Sequence, residues 1–259
     1  MKTIVSEANE TVKFVRKLCE RKYRDREGMF LIEGIHLLYE ALKSGLEVIQ
    51  IYVRSGDETD PGILDALRLA KDTSTVLFDR DLFDSLADTV TPQGVMAAVR
   101  RPNPPAQMNG SALVIDRLQD PGNVGSIVRS ADAAGIETVI AVKGTADIYS
   151  RKVLRAAAGA LFRIHVFFAE DAETALTLLR ENDIKVFACD MKGAIPYHSA
   201  DLTGRIGIVI GNEGGGLSET FLSGDTDTIY IPMEPESESL NASVTAAIVM
   251  FEKRRQDGR

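Results

Sequence analysis

The chain has 259 residues, of which 44% are hydrophobic and 26% are charged, and this composition excludes an intrinsically disordered protein. No apolar run approaches the roughly 18 residues that a membrane span needs, and residues 1–10 lack the apolar core of a signal peptide, so we expect a cytoplasmic protein outside the membrane. The formal net charge of −8 counts against indiscriminate nucleic-acid binding, because neutralising phosphates requires clustered lysine and arginine.

Residues 1–100 predict a small α/β unit. Apolar positions recur at helical spacing over residues 9–24, which predicts one amphipathic helix there. After it, apolar and β-branched runs alternate with helical segments. The predicted strands are 29–34, 46–54, 75–78 and 94–100, and the intervening helices begin near Ile35, Pro61 and Asp81.

The strongest basic stretch of the chain begins in the first predicted helix and extends two residues beyond it. Its cations over residues 13–26 are Lys13, Arg16, Lys17, Arg21, Lys22, Arg24 and Arg26, opposed by Glu20 and Asp25. An RNA-binding surface has this composition. A solvated helix face has it too, and the segment alone leaves both interpretations open.

Residues 100–110 concentrate proline, asparagine and glycine without hydrophobic periodicity, as linkers do. We therefore expect one domain at 1–100, a linker at 101–110 and a second domain at 111–259. Short β-branched runs in the second domain predict a mainly parallel sheet that helices cover on both faces. The predicted strands are 111–116, 137–142, 163–168, 185–190 and 205–211.

Polar residues follow the first strand of this second domain. Asp120, Pro121 and Gly122 predict a turn, Asn123 is a candidate N-cap, and Arg129 lies on the second turn of the next helix. Free N–H groups at the carboxyl end of a buried strand can bind a ligand. The same residues are also ordinary at the start of any helix.

Residues 211–216 read Gly-Asn-Glu-Gly-Gly-Gly directly after a strongly apolar strand. Such a loop permits positive φ angles and close approach of main chain to a ligand, although a flexible loop would also be rich in glycine. Glu213 is a costly neighbour for apolar surface unless it has a role. The chain contains neither a G-x-G-x-x-G pattern nor a P-loop lysine after this loop, which counts against a dinucleotide oxidoreductase.

A third polar cluster lies between the predicted strand end at Ile231 and an apolar helix that continues to residue 255. Ser239 or Asn241 is predicted to cap that helix, and both are also candidates for a site at a strand end.

The sequence gives little support for a metal site or a disulfide. Cys19 and Cys189 form no metal or disulfide pattern and are expected to be buried, and the histidines lack metal-ligand spacing, so no metal is expected.

Together and in this order, NVGSIVR, IGNEGGGLSE and IPMEPESESLNAS resemble the three motifs of the SpoU (TrmH-like) family of RNA 2′-O-ribose methyltransferases. The resemblance covers residues 111–255. It implies the fold of the SPOUT superfamily, an α/β domain with a parallel sheet and a deep trefoil knot, and a homodimer with its site near the subunit interface. Residues 1–100 resemble the smaller ribosomal-protein-L30e-like α/β domain that binds the RNA substrate.

The resemblance also implies which residues act. S-adenosylmethionine would contact main chain and side chains at Gly211, Asn212, Gly216, Ile231, Met233, Leu240 and Ser243. The catalytic positions would be Arg129, Asn123, Glu213, Ser239 and Asn241. RNA contacts in the first domain would come from Lys13, Arg16, Lys17, Arg21, Lys22 and Arg24.

A ribose hydroxyl must lose or share its proton before it attacks the methyl group of a sulfonium. A guanidinium stays protonated at neutral pH, so we interpret Arg129 as a group that holds a phosphate and orients the hydroxyl, while the proton acceptor stays open. Pro235 stands where many relatives have glycine, and the acidic loop 234–238 is expected to alter loop closure or to repel RNA locally.

The resemblance leaves the substrate open. We expect 23S ribosomal RNA first and transfer RNA second, since an added L30e-like domain suits a folded RNA recognised by shape. A non-enzymatic RNA-binding or ribosome-assembly protein is the alternative from another class. The presence of Asn123, Arg129, Glu213 and Asn241 counts against it.

Overall fold

The structure, a computed structural model, describes residues 3–71, 73–223 and 226–258. Its strands are β1 (Thr3–Ile4), β2 (Met29–Glu33), β3 (Val48–Arg54), β4 (Ser74–Phe78), β5 (Val95–Arg100), β6 (Ala112–Ile115), β7 (Thr138–Val142), β8 (His165–Ala169), β9 (Lys185–Cys189), β10 (Ile195–Pro196), β11 (Ile206–Ile210) and β12 (Thr226–Tyr230). Its α-helices are α1 (Glu10–Leu18), α2 (Arg21–Glu27), α3 (Ile35–Lys43), α4 (Pro61–Ala70), α5 (Arg80–Leu86), α6 (Pro121–Ala134), α7 (Arg151–Ala157), α8 (Ala172–Glu181) and α9 (Ala242–Gln256).

The chain divides into two units. Unit 1 consists of Met1–Pro102 and Tyr149–Phe162, and unit 2 of Asn103–Ile148 and Arg163–Arg259. Residues 149–162, which the sequence analysis assigns to the second domain, thus pack with the first unit. None of the helices in the described ranges has the length and apolar character that crossing a membrane requires.

Unit 1 contains a mixed five-stranded sheet in the order β1-β4-β3-β5-β2. Strands β1, β4 and β3 are parallel, while β5 runs antiparallel to β3 and β2. Val12, Val15 and Leu18 are buried on one side of α1 and belong to a core that includes Tyr52 and Phe78. The rings of Tyr52 and Phe78 stack with centroids 5.1 Å apart.

The predicted single helix over residues 9–24 is wrong, because α1 ends at Leu18 and α2 begins at Arg21. Glu20 between them has extended backbone angles, with φ −101° and ψ 134°. The guanidinium of Arg24 donates to the carbonyl oxygen of Leu18 at 2.7 Å and thereby satisfies a carbonyl that the end of α1 leaves without a helical partner. No glycine or proline marks this break in the sequence. Cys19 at the break is exposed, contrary to expectation.

Unit 2 contains a seven-stranded sheet in the order β10-β12-β9-β11-β6-β7-β8, and all of its strands are parallel. Every residue of β6, β7 and β11 is buried. These strands lie in the middle of the sheet with both faces covered, which is why they read as continuous apolar runs. The predicted α/β fold with a mainly parallel sheet is confirmed.

Helices cover this sheet and fix the positions of the loops that follow its strands. Helix α9 packs against α6 and β11, and it buries Ala246, Val249 and Met250. Helix α8 contributes Leu176 and Leu179 to a cluster that also contains Val209 of β11. The central strands are therefore held firmly, and the loops at their carboxyl ends start from fixed points.

Candidate active site

A cavity of about 670 Å³ lies at the carboxyl ends of β9, β11 and β12. These three strands are neighbours in the sheet, with β9 in the middle. Their last residues, Cys189, Ile210 and Tyr230, all line the cavity, together with residues of the following loops and of α9. Parallel sheets bind ligands at this edge, because the loops that leave neighbouring strands converge there.

The glycine-rich loop after β11 presents peptide groups to the cavity. A Cβ atom on Gly211 would lie 2.7 Å from the carbonyl carbon of Gly216, so no side chain fits at Gly211. The N–H of Asn212 donates to Gly216 at 3.1 Å, and the N–H of Gly216 donates back at 2.9 Å. The Asn212 side-chain oxygen accepts the N–H groups of Gly214 and Gly215 at 2.9 and 3.1 Å. The loop is thus closed on itself and ordered by its own residues.

Asp116 and Arg117, which directly follow β6, hold both ends of this loop. The carboxylate of Asp116 is fully buried and accepts the N–H and the hydroxyl of Ser218, at 2.6 and 3.0 Å. Arg117 donates from Nε to the same carboxylate at 3.0 Å. Its carbonyl oxygen accepts the side-chain amide of Asn212 at 2.7 Å. The start and the end of the glycine loop are therefore fixed to one two-residue segment.

The polar residues that follow β6, from Asp120 to Arg129, differ from the prediction in which residue caps the helix. Asp120, not Asn123, is the N-cap of α6, and its carboxylate accepts the N–H of Asn123 at 2.7 Å. Pro121 occupies the first turn, where its missing N–H costs nothing. The side chain of Asn123 is consequently available, and it donates to Glu213 and accepts from Asn241 at 3.0 Å.

The third cluster places Asn241 at the start of α9, where it is the predicted N-cap. Its side-chain oxygen accepts the N–H and the hydroxyl of Ser243 at 2.8 and 2.6 Å. Ser239 and Leu240 line the cavity from the preceding loop. Residues 234–238 are exposed and include a turn in which the N–H of Ser237 donates to the carbonyl of Glu234 at 3.0 Å.

Most of the residues that the sequence analysis selected converge at this cavity. The lining includes Gly211, Asn212, Glu213, Gly216, Ile231, Met233, Ser239 and Leu240. Asn123 and Asn241 adjoin it through their hydrogen bonds to Glu213 and to each other. Ser243 is absent from the cavity wall among the described residues, and its side chain supports Asn241 instead.

Arg129 is the catalytic candidate that the structure does not bring to the cavity. It is exposed on α6, and its guanidinium makes no hydrogen bond or ion pair with the residues that the structure describes. Six residues of α-helix separate it from Asn123, which corresponds to about 240° around the axis and about 9 Å along it. Arg129 therefore leaves α6 on a different side from Asn123.

The segment from Cys189 to Lys192 also lines the cavity, at the end of β9, and none of its residues was predicted from the sequence to belong to the site. Asp190 is the last residue of the predicted strand 185–190, and the observed strand β9 ends one residue before it, so a carboxylate at this strand end was a signal comparable to Glu213. The Asp190 carboxylate accepts the N–H of Lys192 at 2.7 Å, which shapes this turn. Burial raises the pKa of the Cys189 thiol to about 12, which favours the protonated thiol at neutral pH.

The basic stretch of unit 1 is mostly exposed, with one exception. Arg24 is 6% exposed and holds the end of α1, so it is unavailable to RNA and the prediction that it contacts RNA is wrong. The other selected cations, Lys13, Arg16, Lys17, Arg21 and Lys22, lie exposed on α1 and α2. A net basic surface is therefore retained there.

Comparison with known proteins identifies both parts of the chain. The profile described as the SpoU rRNA Methylase family matches residues 110–251, and that of the MRM3-like substrate binding domain matches residues 9–97. The 23S rRNA (guanosine(2553)-2′-O)-methyltransferase RlmP of Bacillus subtilis is 35% identical over 258 residues, which cover 98% of this chain and 100% of the relative.

Comparison with solved structures leads to the same family. The AdoMet-bound rRNA methyltransferase from Sinorhizobium meliloti is 27% identical, with a TM-score of 0.86 over 98% of this chain and 97% of that one. The SpoU methyltransferase AviRb from Streptomyces viridochromogenes, also solved with AdoMet, is 27% identical, with a TM-score of 0.85 over 96% and 98%. The resemblance seen in the three sequence motifs is confirmed: the chain belongs to the SpoU family of RNA methylases.

Proposed function

We propose that the chain transfers a methyl group from S-adenosylmethionine to a ribose 2′-hydroxyl of structured RNA, with 23S ribosomal RNA as the substrate. One observation carries this function: Asn123, Glu213 and Asn241 come from three separate segments and are joined by hydrogen bonds beside a glycine-lined cavity. Residues 111–259, except residues 149–162, which pack with unit 1, act as the methyltransferase domain. Residues 1–100 bind the substrate, and residues 101–110 link the two.

The cavity suits S-adenosylmethionine in size and lining. Its volume of about 670 Å³ lies within the range of small-molecule sites. Ile231, Met233 and Leu240 offer apolar surface to the adenine ring, while Gly211 and Gly216 allow main chain to approach closely, and Asn212 keeps their loop in shape. When bound, the cofactor supplies a methyl group on a positively charged sulfur.

The residues of the chain orient the ribose and manage one proton. The amides of Asn123 and Asn241 are fixed by their hydrogen bonds, so they keep Glu213 in position. The hydroxyl of Ser239 lies in the cavity wall. We assign these four side chains to holding the ribose and the cofactor in register, and the exposed guanidinium of Arg129 to an RNA phosphate.

The choice of ribosomal RNA rests on the relatives. RlmP of Bacillus subtilis, which is named for 23S rRNA, matches this chain along its whole length. Transfer RNA is the second candidate substrate. RlmP is a protein of a bacterium, and bacteria make and assemble ribosomal RNA in the cytoplasm, so we assign this protein to the cytoplasm.

Methyl transfer from labelled S-adenosylmethionine to separate 23S rRNA and transfer RNA tests the function. We expect label in 23S rRNA, and a loss of about 100-fold or more in kcat for Arg129→Ala with unchanged cofactor affinity. Label in transfer RNA alone would favour the second substrate. Absence of transfer to either RNA, with no heat of cofactor binding in calorimetry, would contradict an enzymatic function and favour a binding protein.

We further propose a homodimer in which Arg129 serves the cavity of the second copy. Arg129 is exposed on the side of α6 away from Asn123, and the neighbouring helix α9 exposes Val244 and Phe251. Mixing inactive Arg129→Ala with inactive Asn241→Ala then restores about a quarter of the sites, because half of a random dimer population is mixed and one of its two sites is intact. A monomer in light scattering, or no recovery on mixing, would contradict this arrangement.

The deep trefoil knot is likewise a proposal. Strand β11 lies between β6 and β9, the chain then crosses β9 to form β12 on its far side, and α9 returns to pack against α6. This order is compatible with a C-terminal segment that passes through a loop, a rare topology. A crystal structure whose chain ends can be pulled apart without leaving a knot would contradict it.

A further inference from the structure

Tyr23 of α2 stands among three cationic side chains on the surface of unit 1. The Nζ atoms of Lys17 and Lys22 each lie 6.0 Å from the centroid of its ring. The guanidinium carbon of Arg26 lies over the same ring at 4.9 Å. Lys17 comes from α1 and the other two from α2, so the break between these helices brings the group together.

The carboxylates of this region leave two of its cations without a partner. Neither Lys17 nor Lys22 forms an ion pair with any residue in the described ranges, and both are exposed. The neighbouring cations are neutralised in the pairs Lys13–Glu10, Arg16–Glu7, Arg21–Asp25 and Arg26–Glu27. The unneutralised positive charge of this helix pair is therefore concentrated around one aromatic ring.

A ring next to two free ammonium groups matches the chemistry of an unpaired nucleotide. A base offers a π-face that stacks on an aromatic side chain, and its phosphates attract lysine. A-form duplex RNA offers phosphates and 2′-hydroxyls but keeps its base faces stacked inside. In a chain with a net charge of −8, such local attraction is what brings the phosphate backbone to the surface.

We propose that Tyr23 is a stacking platform for an unpaired base of the RNA substrate, with Lys17 and Lys22 contacting the flanking phosphates. Arg26 is held by Glu27 through hydrogen bonds of 2.9 and 2.6 Å, so it keeps the ring in place. The lysines are free to turn from the ring to a phosphate. This inference rests on the proposed function, because it assumes an RNA substrate, and it specifies a single-stranded or looped region within that RNA.

Binding of two labelled probes to the full chain, measured by fluorescence anisotropy, tests the proposal. The probes are an eight-nucleotide adenosine oligomer and an eight-base-pair RNA duplex. We expect Tyr23→Leu to weaken oligomer binding about 5- to 150-fold and to leave duplex binding nearly unchanged, while Tyr23→Phe retains both. Lys17→Gln with Lys22→Gln should lower the slope of log K against log salt for the oligomer by about 1.4.

Tyr39→Leu is the matched control, because Tyr39 of α3 also carries a lysine over its ring, Lys43 at 4.6 Å, but only that one cation. It should bind both probes as the parent chain does. Unchanged oligomer binding by Tyr23→Leu, equal losses on oligomer and duplex, or no oligomer binding by the parent chain would each overturn the platform. Methyl transfer to 23S rRNA by the parent chain, measured in parallel, shows whether the proposed function survives that failure.

Discussion

Asn123 is available to the cavity because a neighbouring residue caps its helix. An Asn at the N-cap position of a helix accepts hydrogen bonds from the backbone N–H groups of the first turn. In this chain Asp120 accepts the N–H of Asn123, so the side chain of Asn123 points its hydrogen-bonding groups at Glu213 and Asn241. Because Asp120 caps α6, the side chain of Asn123 is left to bond with residues beside the cavity.

Asp116→Asn tests whether the fixed ends of the glycine loop matter for cofactor binding. An amide presents two donor hydrogens where the carboxylate now accepts from Ser218 and Arg117, so donors would face each other. We expect the Kd for S-adenosylhomocysteine to rise about tenfold, the equivalent of about 1.4 kcal/mol, in calorimetry.

Ser218→Ala is the control for that change, because it removes the hydroxyl bond at 3.0 Å and keeps the shorter N–H bond. It should raise the Kd by less than about fivefold. An Asp116→Asn variant that keeps the parent Kd would show that Asp116 does not position the glycine loop. The same conclusion would follow if its loss of affinity were explained by a lower melting temperature.

Gly211→Ala tests the main-chain contact itself. Because its Cβ would lie 2.7 Å from the carbonyl carbon of Gly216, the loop must open, and we expect cofactor affinity to fall by at least about tenfold. Gly214→Ala in the same loop is the matched control, since a Cβ there meets only the Asn212 side-chain oxygen at 3.7 Å. Equal Kd values for the two variants would refute this role for Gly211.

At the scale of elements, the segment Tyr149–Phe162 completes the first unit although it lies far along the chain. The ring of Phe30 contacts Tyr149 and Phe162 with centroids 4.9 and 6.2 Å apart. Arg151 of α7 donates to the carbonyl oxygen of Leu86 at 2.7 Å. A fragment that ends at Pro102 would therefore expose part of the core of unit 1.

Arg151→Met measures how firmly this segment is bound. Glu33 is 2% exposed in its side chain and pairs with Arg151 at 3.5 Å, so the variant leaves a buried carboxylate with fewer partners. Three hydrogen bonds from Asp88 and Thr89 remain, and we expect a loss of about 3 kcal/mol in the free energy of unfolding.

Arg155→Met, which breaks the more exposed pair with Asp88, is the comparison and should cost less than about 1 kcal/mol. Urea unfolding followed by circular dichroism measures both variants. Equal losses for the two would show that the burial of Glu33 does not decide the strength of this contact.

The last turn of α9 makes stability depend on pH. Hydrogen bonds donated first by Arg255 and then by Gln256 hold the pKa of Glu252 at about 2, below its ordinary value of 4.5. Gln256 also accepts the N–H of Leu202 at 2.8 Å. Because the folded-state pKa is the lower one, Glu252 stabilises the fold above pH 4.5, and this contribution is lost as the pH falls towards 2.

Glu252→Gln should therefore lower stability at pH 7 by about 1 kcal/mol, a small value because Arg255 is largely exposed. The difference from the parent chain should shrink as the pH falls from 4.5 to 2. Thermal melting at pH 7, 4 and 3 measures this, and a difference that stays constant with pH would contradict it.

Across the whole molecule, the features that could be predicted from the sequence are those that one local signal determines. Strands β6 and β11 were predictable because burial on both faces leaves continuous apolar runs. The cavity was predictable because Glu213 and Asn241 follow strands whose carboxyl ends lie at one edge of a parallel sheet. The hydrogen bonds that connect Glu213 and Asn241 through Asn123 could not be predicted, because they join residues 90 and 118 positions apart in the sequence and no local pattern indicates them.

Other features depended on tertiary context. Arg24 belongs to the basic stretch by composition, and only the break at Glu20 explains why it is buried. Residues 149–162 continue the second domain in sequence, and no local pattern shows that they pack with Phe30. Such contacts depend on which surfaces of distant segments remain exposed for packing. Neither hydrophobic periodicity nor secondary-structure propensity contains that information.

The position of the transferred methyl group shows whether the protein methylates a ribose hydroxyl or a base. Ribosomal RNA labelled by the purified protein is hydrolysed with alkali, which cannot cleave beside a ribose whose 2′-hydroxyl is methylated. We expect the label in an alkali-resistant dinucleotide, and we expect the Asn241→Ala variant to lose it. Label in mononucleotides, which would mean methylation of a base, or full labelling by the Asn241→Ala variant would contradict the account.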